Sequence, residues 1–470
     1  MGCGGINPIV GFRGFNLVQN PSFEAGLASW ISNDNVSTSD IIPFEGTQVA
    51  FMDANVASMY QDVVLAGTDC SPLFLSFNVI SVNQPKLTVD VLWLDNNHNF
   101  IATGLKMFIS RGITDGVNNS RITFFDITDN PPPGTAFARL IISKAEGEEE
   151  SSVSIDQVIM APVGSINLLE NPSFEAGLTG WTTTTYIPDF ETPLQGANNI
   201  ASILGGSLYQ DVPIDTQPPN SSYLFSFGAS GHMSGTLEVQ VLWLDAGDNI
   251  IGSPGLEIII PSETLPRQEN YLTYLDLTEP APDNAVKARI LFESSLGEGS
   301  VIRIDQVIFA RAGSPNLIIN PSFEDGLNNW AAVGVSAVAS NETYEGDFRA
   351  SFEINGASLF QDVAIDNGEG HCFLFNCGLR VEREGGGIAT TDIVVRVLWL
   401  DDRGREIGLG LSLVAFSTAN PGVVFPQWLV YTGITESAPP GAAAARVQFT
   451  KLLDVNAFVS VDKIVFGRLA

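Results

Sequence analysis

The chain has 470 residues, with 53 acidic against 22 basic side chains and a formal net charge of −31. No basic cluster tracks a phosphate backbone, which excludes nucleic acid as an expected partner, and no apolar run reaches the ~18 residues of a membrane span. With 45 glycines, 26 prolines and a 44% hydrophobic share but no long amphipathic helical pattern, the composition points to many short strands and turns.

Residues 1–15, MGCGGINPIVGFRGF, show none of the charged start, apolar stretch and cleavage site of a signal peptide. The sixth residue is Ile where a myristoylation site wants Ser or Thr. The segment reads as an extended N-terminal arm. Its apolar residues Ile6, Ile9, Val10, Phe12 and Phe15 would either pack on the first domain or add a strand to the open sheet edge of another copy. The second option is a head-to-tail contact, and one that does not close makes a filament. Cys3, between glycines, is placed to reach another chain; an intermolecular disulfide through it would separate reducing from non-reducing gels.

The stretch NLVQNPSFEAGLASW (16–30) returns as NLLENPSFEAGLTGW (167–181) and NLIINPSFEDGLNNW (316–330). Four further blocks recur in the same order: MYQDV, LYQDV and LFQDV; VLWLD three times; PPGTAFARL, PDNAVKARI and PPGAAAARV; and IDQVI, IDQVI and VDKIV. The chain divides into an arm (1–15) and three tandem repeats, 16–164, 165–313 and 314–470.

Within a repeat the period is two. Leu87, Val89, Val91 and Trp93 share one face, as do Leu237 to Trp243 and Ile393 to Trp399 in alternation, while the opposite face drifts from copy to copy. This is a half-buried strand whose inward side packing has fixed. Each ends in Asp95, Asp245 or Asp401 before a turn-rich segment, the pattern of a hairpin whose carboxylate bonds local backbone amides. Eight or nine such strands per repeat predict an all-β protein of three antiparallel β-sandwich domains in series, an elongated object.

Catalysis is not expected. His98, His232 and His371 occupy non-equivalent positions, the recurring acids lie in structural motifs, and no phosphate loop or serine elbow is present. Cys372 and Cys377 are five apart, which puts them on opposite faces of one strand, and Cys70 has no counterpart in the other repeats.

The opening NLLxNPSFExGLxxW, the QDV, the central hydrophobic strand and the closing IDxV resemble the carbohydrate-binding modules of the jelly-roll, galactose-binding-like group, over all three repeats. The resemblance implies a structural calcium ion tying first and last strands through Glu24 with Asp156, Glu175 with Asp305, and Glu324 with Asp462. Such an ion needs about 6–8 oxygens, which backbone carbonyls and water would complete; the alternative is that these acids cap backbone amides and hold the strands alone. Glycan binding would use exposed aromatics. Six tryptophans repeat and read as core; Trp428 and Tyr271 are the expected platforms, with Tyr186 and Tyr344 in early loops behind them.

Two functions are therefore carried forward. The first is a non-enzymatic structural protein of a bacterial cell or spore surface, self-assembling through its arm and reaching that surface without a signal peptide. The second is an adhesive protein that recognises glycans.

Overall fold

The computed structural model describes residues 16–470 except 42, 66–69, 115–120, 233–234, 267–269, 296, 298, 367, 384–391, 416–427 and 453–456. Among the described residues the regular structure is thirty strands in six five-stranded antiparallel sheets, two per repeat, with no helix. The arm residues Cys3, Ile6, Ile9, Val10, Phe12 and Phe15 lie outside the described residues.

Module 1 contains β1 (Ile31–Ser32), β2 (Val36–Ser39), β3 (Val49–Met52), β4 (Ala57–Val64), β5 (Leu73–Val82), β6 (Leu87–Leu94), β7 (Phe100–Ile109), β8 (Ile122–Ile127), β9 (Phe137–Lys144) and β10 (Ser152–Pro162). One sheet runs β1-β4-β9-β6-β7 and the other β2-β3-β10-β5-β8, and modules 2 and 3 repeat both orders strand for strand. Ten strands exceed the expected eight or nine because β1 and β2 are short.

The two sheets differ in burial. In β4, β6 and β9 buried and half-exposed residues alternate, as a sheet with one wet face requires. In β5 and β8 nearly every residue is buried, so this second, inner sheet is covered on both faces. Its second cover is the neighbouring module.

The modules close into a ring. The turn at Gly196 in module 2 donates its N–H to Phe108 O on β7 of module 1 (2.7 Å), and Gly346 of module 3 does the same to Ile259 O on module 2 (2.8 Å). The turn of module 1 completes the circle, Glu45 bridging to Ala415 on the corresponding strand of module 3. Behind each turn an apolar side chain enters the neighbour: Tyr344 packs on Tyr274 (centroids 4.6 Å apart) and Phe44 stacks on Tyr431 (4.0 Å), while Leu194 joins the apolar core of module 1.

At the centre, Thr123 Oγ1 donates to Val430 O (2.7 Å) and Thr273 Oγ1 to Thr123 O (2.8 Å). Val430 stands where the third threonine would be, and the Tyr344 hydroxyl bonds Thr273 O in its place (2.5 Å). Each of the three carbonyls thus receives a hydroxyl from the next module. The elongated array expected from the sequence is overturned: three sandwiches with complementary leading and trailing faces bury more by closing than by lying in line.

Candidate functional site

The repeated acids each grip a turn. Glu24 Oε1 accepts the N–H groups of Thr47 (2.6 Å) and Gln48 (2.8 Å), and its Oε2 the Thr47 hydroxyl (2.8 Å). Asp156, at the bulge of β10, accepts Phe44 and Glu45 N–H on Oδ2 (2.8 and 3.0 Å) and Gln157 N–H on Oδ1 (2.7 Å). The two carboxylates therefore hold opposite ends of one turn. Glu175 with Asp305 and Glu324 with Asp462 repeat the arrangement, on the N–H groups of Gln195, Ala197 and Asn198 and of Tyr344, Glu345, Asp347 and Phe348. Burial pushes the Asp156, Asp305 and Asp462 carboxyls well above the usual carboxylate range, against the pull of these amides.

A calcium ion fits this poorly. The groups converging on each carboxylate are N–H donors, of the wrong polarity for a cation's shell, and among the described residues no three His, Cys, Asp or Glu side chains converge. The acids act as amide caps.

The four expected sugar platforms are buried, which corrects that reading: Trp428 is 6% exposed, Tyr271 4%, Tyr186 2% and Tyr344 1%. Trp428 donates its indole N–H to Glu342 O (3.2 Å) and meets Tyr344 edge-on. Tyr271 accepts from Asn199 Nδ2 (3.2 Å). Alternation assigned Trp428 and Tyr271 to an open face, but they precede β8-type strands, where the neighbouring module provides a cover.

Cys372 and Cys377 are thiols, and burial pushes both up, Cys372 to about 12. Cys70 is disulfide-bonded.

A repeated outward-facing constellation was missed. On the wet face of the outer sheet, Asp62 of β4 sits opposite Arg139 of β9 and accepts its guanidinium in a fork, Nε at 2.6 Å and a terminal nitrogen at 2.8 Å. The same guanidinium lies over the Tyr60 ring, 4.5 Å from its centroid. Module 2 repeats this with Asp211, Arg289 and Tyr209, and module 3 with Asp362, Arg446 and Phe360. All nine side chains keep partial contact with water. The strand period places them: in YQD the aromatic and the acid point outward, while the buried Gln61 between them bonds both the N–H and C=O of Gln19. The signal was in the sequence, since the YQD or FQD block and the AR block both recur.

From the aromatic, a row crosses four strands. It reads Tyr60, Ile141, Asp90, Lys106 in module 1. In module 2 it is Tyr209, Leu291, Gln240, Glu257, and in module 3 Phe360, Gln448, Arg396, Ser412. Beside it the modules differ again. His98 bonds Asp62 (2.7 Å) and stacks on Phe137 (4.3 Å) in module 1, where module 2 pairs Asp248 with Lys287 (2.5 Å).

By fold, the chain is an all-β protein of three tandem jelly-roll β-sandwich modules, each bearing an aromatic–arginine–aspartate face. It is similar to carbohydrate-binding modules. The tandem CBM22 pair of Paenibacillus barcinonensis Xyn10C aligns at 12% identity over 64% of this chain and 97% of that one, with a TM-score of 0.26. TmCBM61, solved with β-1,4-galactotriose, aligns at 16% over 33% and 99%, TM-score 0.25. The enzymatically active domain of bacteriophage CBA120 tailspike protein 4 aligns at 21% over 32% of this chain, TM-score 0.26, and this chain spans 22% of that domain's length. No protein-family model and no curated protein matches the chain.

Proposed function

We propose that the chain is a non-enzymatic glycan-binding protein that uses the outer-sheet faces of its three modules, and that it works outside the cell or on its surface, where such polymers are found. The observation that supports this reading is the repeated row. An aromatic ring, an aliphatic or amide side chain and charged, amide or hydroxyl groups line up across four strands, a span of roughly 15 Å. A pyranose offers apolar C–H faces and hydroxyl pairs; aromatic and aliphatic surface suits the first, and forked carboxylate, guanidinium and amide groups suit the second. The Arg–Asp forks fix these groups before a ligand arrives, which lowers the ordering cost of binding.

A glycan array probed with the full chain, followed by calorimetric titration, tests the proposal. The variant Arg139→Ala/Arg289→Ala/Arg446→Ala, shown by circular dichroism to keep its β-sheet spectrum, should bind the selected oligosaccharide at least about tenfold more weakly, ~1.4 kcal/mol. Absence of any retained glycan at millimolar concentration would end the proposal. The other expectation, a self-assembling fibre, rests on arm residues outside the described ones.

A further inference from the structure

Three groups stand at equivalent positions at every junction of the ring, and between modules 2 and 3 they are in direct contact. One comes from the β8-type strand of the leading module: Asp126, Asp276 or Gly433. The other two come from the following module, one from the bulge of its last strand (Gln306, Lys463 or Gln157) and one from its turn (Gln195, Glu345 or Glu45). The bulge residues share a left-handed backbone, with φ of 51°, 49° and 49°, which sends each to the junction.

The sets differ in charge. Between modules 1 and 2, Asp126 is the single ionisable member and takes a hydrogen bond from the Gln306 side chain. Between modules 2 and 3, Lys463 Nζ lies 2.7 Å from Asp276 and 2.9 Å from Glu345, all nearly sealed from water. Between modules 3 and 1, Gly433 leaves the acid position empty; Glu45 accepts Val414 N–H (3.4 Å) and Gln157 accepts Thr432 N–H (3.5 Å). No junction holds two acids without a lysine.

We propose that these nine residues are an address that fixes the cyclic order of the modules and reserves the leading face of module 1 for module 3. Placed on Asp126 or Asp276, that face would bury Glu45 beside a second carboxyl, with the neutral Gln157 and Ser22 side chains next to it and no lysine at the bulge; such pairs are rejected. On Gly433 it meets no charge. Tethering within one chain then makes the module 3 of the same molecule the partner that is met first.

The test exchanges sets between junctions in the full chain, read by thermal unfolding, light scattering and small-angle X-ray scattering. Lys463→Gln should lower the unfolding midpoint by about 10 °C, and Lys463→Gln/Asp276→Gly, which copies the set at Gly433, should recover most of it. Conversely, Gly433→Asp should enlarge the particle or drive it to oligomers, and Gly433→Asp/Gln157→Lys, which copies the set at Asp276, should restore the monomeric closed form. A Cβ at 433 would press on the end of the Leu411 side chain, so Gly433→Ala isolates that steric effect and should remain closed. The address is refuted if the double variants behave no better than the single ones, if the single variants change nothing, or if Gly433→Ala opens the particle as Gly433→Asp does.

Discussion

Trp93, Trp243 and Trp399 are sealed in the three cores, and each lies against a glycine in, or immediately before, the adjacent strand: Gly104, Gly255 and Gly410. A Cβ at any of these positions would overlap the indole. Gly104→Ala should therefore cost about 3 kcal/mol, seen as a lower urea midpoint. Asp126 gives a residue-scale prediction of another kind. Burial pushes its carboxyl up from 3.8 to about 7, so its contribution to stability is complete below pH 4 and is lost as pH rises through 7. Between pH 5 and pH 8.5 the wild type should lose about 3 kcal/mol relative to Asp126→Asn; paired denaturation curves at the two pH values check this, and parallel behaviour of the two proteins would contradict it.

Among the elements, the turn held by Glu24 and Asp156 matters most, because it carries both the intramodule latch and the contact to the next module. Glu24→Ala leaves three donors without their acceptor and should destabilise module 1 by about 2 kcal/mol, measured by urea denaturation. With amides filling the acid sites, melting curves recorded in millimolar calcium and in chelator should coincide. Much at this scale was legible in the sequence. The alternation of Leu87 to Trp93 gave β6 and its buried face, and Asp95 does cap its hairpin, accepting the N–H groups of Asn97 (2.8 Å) and Asn99 (2.9 Å). What escaped was the unbroken run LFLSFNVISV at Leu73–Val82. A strand without alternation is buried on both faces, and that pattern already required something to cover the inner sheet. The aromatic–arginine–aspartate face escaped because its residues come from two blocks far apart in sequence, and only strand register brings Asp62 to Arg139.

At the scale of the whole molecule, a closed ring should scatter X-rays as one compact body, with a radius of gyration near about 23 Å; a clearly larger value, as for three modules in line, would contradict closure. Closure was hidden in the sequence because it uses positions where the repeats disagree. Phe44 and Leu194 drew no notice in the sequence and Tyr344 read as a glycan platform, yet each is the plug its particular neighbour accepts. The junction between modules 3 and 1 has no peptide link and is made from the same kinds of contact as the two that do. A protease nick in residues 163–166 would consequently cut a tether and release no fragment. The pieces would migrate together until denatured, so this protein can lose the continuity of its backbone and keep its shape.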